Sequence, residues 1–91
     1  LEDQSVDFLM SVNTLHEFDD KARMINEMKR VVKQDGRLLI ADFKKKETGF
    51  GPPVGIRMGR ERAIRLFEEN GLGLSYAKDL LYHYLLVLVK A

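Results

Sequence analysis

No cysteine occurs among the 91 residues, which removes disulfides, thiolate metal sites and cysteine nucleophiles together. An excess of charge of one sign is also missing: 15 Lys and Arg stand against 14 Asp and Glu, a formal net charge of +1. That balance gives no reason to expect nucleic acid or an anionic membrane surface as a partner. The longest apolar stretch, close to the C-terminus, is too short and too interrupted to span a bilayer. No signal-peptide pattern is visible in these residues, so a cytoplasmic location is the expectation. Leu1 is not an initiator methionine, and Leu1 to Ser5 read as a loop entering a strand directly. Further chain is therefore expected ahead of it in the intact protein.

What is present is ordinary globular material, 45% hydrophobic and 32% charged. Ninety-one residues make one small domain at most. A chain of this size buries roughly 60–65% of its unfolded surface, which leaves a thin stability margin. Val6 to Val12 is a short apolar run with apolar residues on both alternating sets, as a strand buried on two faces requires. Asp19 and Asp20 can cap the following helix, whose apolar face is Ile25, Met28 and Val32, with Met24 and Val31 beside it. Asp19–Arg23 and Arg23–Glu27 have the spacing of surface pairs. Asp35-Gly36 predicts a turn with positive φ that stops the helix near Lys33.

Arg37 to Phe43 is a second two-sided apolar strand. The loop from Lys44 to Arg57 carries three of the glycines and the only two prolines, Pro52 and Pro53. A second amphipathic helix is expected from about Gly59 to Asn70, burying Ala63, Ile64 and Phe67, with Gly71 as its left-handed stop. Leu72 to Leu81 and Tyr82 to Lys90 read as two strands joined by a tight turn. The order is strand, helix, strand, helix, strand, strand. Strand–helix–strand units give parallel pairs with right-handed crossovers, whereas the last two strands are too close for a crossover and must be antiparallel. The pattern predicts an α/β doubly wound sheet with one reversed strand at its edge.

That order resembles the C-terminal half of the class I S-adenosylmethionine-dependent methyltransferase fold, a partial Rossmann-like fold closing on an antiparallel strand pair. Ser5-Val6-Asp7-Phe8, then Ser11-Val12-Asn13 and Leu15-His16, are similar to the family's fourth strand and following loop. Glu27 to Ile40 is similar to its helix, Arg-Val-Leu-Lys-Pro-Gly-Gly turn and fifth strand, with Gln34 and Asp35 where Pro and Gly are usual. Asp42 to Glu47, Gly51-Pro52-Pro53, Arg57 and Tyr82 to Val87 resemble the branch related to ubiquinone and menaquinone biosynthesis methyltransferases. The resemblance spans essentially the whole chain. The family's first strand, its glycine-rich turn and the acid that holds the ribose hydroxyls have no counterpart in these residues.

Ligands of doubly wound sheets bind beyond the carboxyl ends of the strands, at the switch in strand order. Ser11, Asn13, Thr14, Leu15 and His16 are accordingly the candidate cofactor residues, and the resemblance implies that their loop runs along S-adenosylmethionine in the intact protein. Asn13 reads equally as a strand-terminating turn residue. His16 is a weak candidate general base, and a packed or surface imidazole is the plainer reading. His16-Glu17 lacks the second histidine at helical spacing that a metal motif needs, so no metal is expected. Asp42, Phe43 and Arg57 are candidate substrate contacts, while Lys44 to Lys46 read as a solvated loop and Tyr82 to Tyr84 as core and sheet surface.

The resemblance implies methyl transfer to a small-molecule acceptor by the intact protein, with this chain inactive alone. A non-catalytic interaction module and a fragment of another Rossmann-type enzyme stay open as alternatives. Two successive crossovers in one direction place both helices on one face of the sheet. The other face and the edge of the first strand are then expected to be bare, and the chain to associate with a copy of itself through either.

Overall fold

The computed structural model describes residues 2–13, 19–46 and 49–90. Strand β1 (Val6–Val12) is followed by helix α1 (Lys21–Val31), strand β2 (Val32–Phe43), a single 3-10 turn (Val54–Ile56), helix α2 (Arg60–Glu69) and strands β3 (Leu72–Asp79) and β4 (His83–Lys90). The sheet order is β1-β2-β4-β3. β1 runs parallel to β2, and β4 runs antiparallel to both of its neighbours. The antiparallel final pair is therefore present, but the reversed strand does not sit at the edge. β4 folds back between β2 and β3, so that β3 becomes the edge strand. The reason is geometric: α2 carries the chain past the space beside β2, and the turn after β3 returns β4 into it, where it finds two partners instead of one.

The helices begin and end for local reasons. The Asp20 side chain accepts from the Arg23 N–H at 3.0 Å and caps α1. The surface pairing differs from expectation: Glu27 is engaged by Arg30, which also reaches Asp3. α2 stops at Asn70 and Gly71, whose φ of +87° is the left-handed conformation that glycine adopts without penalty.

The turn expected at Asp35-Gly36 takes another form. β2 starts directly after α1, and between the pairs Val6↔Val32 and Phe8↔Arg37 two steps on β1 are matched by five on β2. The extra residues form an irregular bulge inside the strand, with Lys33 paired to Asp7 at 3.1 Å. Gly36 is not in the positive-φ region. It is needed for close approach, because a Cβ there would lie 2.5 Å from Val32 Cγ1 and 2.7 Å from the Asp7 carbonyl oxygen.

Both helices pack on one face. Ile25, Met28 and Val31 of α1 and Ala63 and Phe67 of α2 join Leu38, Ile40, Tyr84, Leu86 and Leu88 in a single buried cluster. Pairing register puts a second set of apolar side chains on the other face, where Met10, Leu39, Val87 and Tyr76 form one row across all four strands. Phe8, Met10 and Val12 are 51%, 59% and 45% exposed, and Tyr76 is 52% exposed. β1 is thus apolar on both faces, as read, but buried on one only. Among the described residues no helix is long and apolar enough to cross a membrane.

Gly36→Ala should destabilise the fold by about 1–3 kcal/mol, the usual loss on overpacking a site whose neighbours include main chain. Urea denaturation checks this, and an unchanged midpoint would show that the bulge relaxes freely.

Candidate functional site

β1 and β2 end side by side, Val12 opposite Ala41, and Phe43 at the end of β2 stands opposite His83 at the start of β4. This carboxyl rim gathers the first-strand end, the 44–57 loop, the start of α2 and the β3–β4 turn.

At the β1 end, Ser11 lies on the helix-covered face and is buried. Asn13 continues the ladder, its N–H donating to the Ala41 carbonyl at 2.8 Å, and then turns with φ +59°. Asparagine tolerates this left-handed conformation better than most residues. Asn13 thus closes the strand, as its reading as a strand-terminating residue requires. Thr14, Leu15 and His16 lie outside the described residues.

Asp42 and Phe43 project to opposite faces. Asp42 is buried on the helix side, where a side-chain oxygen accepts from the Phe43 N–H at 2.8 Å. Tyr84 sits opposite it in the register, fully buried, and donates its hydroxyl to the Met58 carbonyl at 2.9 Å. Burial, with the Asp42 charge as a second cause, pushes the Tyr84 hydroxyl above its ordinary pKa.

Arg57 is 3% exposed. Its Nε donates to the Pro52 carbonyl at 2.7 Å, Nη1 to Lys46 at 2.7 Å and Lys44 at 3.3 Å, and Nη2 to Phe50 at 2.6 Å. The guanidinium also lies 4.8 Å from the Phe43 ring centroid. Lys45 adds a bond from its Nζ to the Arg57 carbonyl at 2.9 Å. One cation thus gathers the main-chain carbonyls of a loop that has little regular structure of its own. Nothing in the loop's sequence shows that Arg57 would be spent on holding it. Beside it opens a cleft of about 510 Å³ whose walls include Lys21, Lys45, Met58, Arg60 and Arg65.

Sequence reasoning named Phe43 on this rim but missed the rings that gather around it. Phe43 stacks on His83 at 4.2 Å and meets Phe50 edge-on at 6.1 Å, and Phe50 meets Tyr82 edge-on at 4.7 Å. The available signal was the aromatic density at Tyr82, His83 and Tyr84, which alternation along β4 divides between the two faces.

A family model described as a methyltransferase domain matches residues 1–40. A type 11 methyltransferase from Sulfolobus solfataricus is 39% identical, with a TM-score of 0.87, over 98% of this chain and 52% of its own. An S-adenosylmethionine-dependent methyltransferase from Aquifex aeolicus is 27% identical, with a TM-score of 0.94, over 100% and 49% respectively. By fold and sequence the chain is a relative of the class I methyltransferases. It spans about half the length of these two relatives. The trans-methyltransferase CalH, solved in complex with SAH, shares the fold at 14% identity and a TM-score of 0.82, over 99% of this chain and 31% of its own. No curated protein matches the chain. Doubly wound sheets take their ligands beyond the carboxyl ends of their strands, which on this side are the ends of β1 and β2.

Because Tyr84 stays protonated in the fold after the unfolded chain has ionised, the unfolded state binds fewer protons above about pH 10. The stabilisation is complete below that pH and is lost as pH rises toward the folded pKa. Tyr84→Phe should lose about 1 kcal/mol near neutrality with its hydrogen bond, and should show a shallower fall of stability above about pH 10. Urea midpoints measured from neutral to alkaline pH decide it. Parallel curves for the two proteins would contradict the assignment.

Proposed function

We propose that the chain is the C-terminal half of a class I methyltransferase domain that transfers a methyl group from S-adenosylmethionine to a small-molecule acceptor. The observation that carries this is the reversed strand seated between β2 and β3, in a sheet that matches half of the Aquifex aeolicus enzyme with a TM-score of 0.94. The antiparallel placement of β4 also argues against a dehydrogenase fragment.

S-adenosylmethionine, when bound, supplies a methyl group already activated by its sulfonium, so the protein's task is alignment. Ser11, Asn13, Thr14, Leu15 and His16 would form one wall for it, as the resemblance implies. No glycine stands between the end of β1 and α1. The residues present would therefore serve one wall of a cofactor site, not its glycine-rich turn or its ribose acid. Phe43 would line the acceptor side, with Asp42 fixing its main chain and Arg57 holding the loop that covers it. His16 is the weak candidate for a proton-accepting role.

The uncovered sheet face and the open edge of β1 make self-association part of the same reading. A bare face of this kind forgoes roughly 1.5–3 kcal/mol for each large apolar side chain left in water. A cytoplasmic setting and an acceptor that is neither nucleic acid nor lipid bilayer complete it.

The isolated chain should bind S-adenosylmethionine no more tightly than roughly millimolar, about −4 kcal/mol. A chimera in which it replaces the matching half of the Aquifex aeolicus enzyme should bind in the micromolar range, about −8 kcal/mol. Calorimetric titration of both proteins is the test. Micromolar binding by the chain alone, or none by a folded chimera, would overturn the proposal.

A further inference from the structure

Among the described residues, one buried side-chain nitrogen or oxygen has no hydrogen-bond partner, the Nε2 of His83. Buried polar groups are nearly always paired, and leaving one unpaired costs about 1–3 kcal/mol. A phenylalanine would fill the same stacked position against Phe43 without that penalty. The described protein groups supply no partner for this nitrogen, which leaves one hydrogen bond for a small molecule to make.

His83 opposes Phe43 across the β2–β4 ladder, and their rings lie 4.2 Å apart with a 36° tilt. Phe43 leads to Phe50 and Phe50 to Tyr82, so four rings form a connected series on the carboxyl rim. Phe50 and Tyr82 remain 50% and 38% exposed, on a loop and a turn respectively. Exposed side chains of this kind change rotamer on the ps–ns timescale, which gives a small molecule access beneath them. The Arg57 fork beside Phe43 is engaged by the carbonyls of Lys44, Lys46, Phe50 and Pro52 and offers little to an anion. Two exposed rings offer an apolar body its contacts, and the imidazole nitrogen offers one hydrogen bond.

We propose that His83 is the hydrogen-bonding anchor of an acceptor subsite walled by Phe43, Phe50 and Tyr82, which takes an uncharged, mainly apolar small molecule bearing one hydroxyl or N–H. The word acceptor rests on the methyltransferase reading above; the binding itself does not. The imidazole fixes which end of the molecule points inward, and the rings hold its body across the rim. His83 thereby selects for a donor group at that end.

The test uses the whole chain with two probes of similar size, benzyl alcohol and benzyl methyl ether, followed by NMR at the His83, Phe50 and Tyr82 rings. Benzyl alcohol should give saturable shifts at these rings and bind about fivefold tighter than the ether, the worth of one hydrogen bond. His83→Phe should bind both probes equally and melt no lower than the parent, since no unpaired nitrogen remains. Equal affinities in the parent, shifts confined to other residues, or a His83→Phe protein less stable than the parent would each overturn the proposal. Neither cofactor nor methyl transfer enters the measurement, so its failure and the failure of the methyltransferase reading are told apart.

Discussion

A β-sheet presents two faces, and water must be kept from the apolar side chains of each. Here both helices lie against the same face, and everything ordered in the chain depends on the cluster they close with β2 and β4. Ile25, Leu38, Ile40, Phe67, Leu86 and Leu88 are sealed from solvent there. Each such burial is worth about 1.5–3 kcal/mol, against a net domain stability of about 5–15 kcal/mol. The opposite face carries a second run of apolar side chains that no helix among the described residues covers, with Phe8, Met10, Val12 and Tyr76 exposed on it. Among the described residues the two faces are thus unequal, one closed by helices and one not.

The carboxyl rim inherits its order from the face closed by helices. Tyr84 reaches from the core to the Met58 carbonyl and fixes the segment entering α2, while Asp42 ties the end of β2 to its own main chain. Arg57 then holds the connecting loop by its carbonyls, so that Phe50 is set against Phe43 and Tyr82. Arg57 is buried, and its side chain is engaged by four main-chain carbonyls. Its contribution is to place the rings of Phe43, Phe50 and Tyr82 at the carboxyl rim.

Much of this was legible in the residues. The two-sided apolar runs at Val6–Val12 and Arg37–Phe43, the face of Ala63 and Phe67, and the stop at Gly71 gave the elements and their order. The location of β4 was not legible, because alternation along a strand says which face is apolar and not which neighbour it pairs with. The Asp35-Gly36 signal was read correctly as a break but not as a bulge, since a glycine required by crowding and one required by positive φ look alike in sequence. Arg57 was read as a candidate substrate contact, and its hydrogen bonds to main-chain carbonyls are ones that no side-chain pattern announces. His83 was overlooked because a histidine between two tyrosines on an apolar strand reads as packing.

The uncovered face is the point on which the account turns, and methionine oxidation reports on it directly. Met10 lies on that face at 59% exposure, Met24 on the helix surface at 37%, and Met28 and Met58 in the interior at 6% and 7%. Dilute protein treated with peroxide and mapped by mass spectrometry should oxidise Met10 and Met24 well ahead of Met28 and Met58. Raising the protein concentration should protect Met10 while Met24 stays reactive, as a second copy covers the sheet. Met10 as slow as Met28 at high dilution, or equally fast at every concentration, would contradict the account.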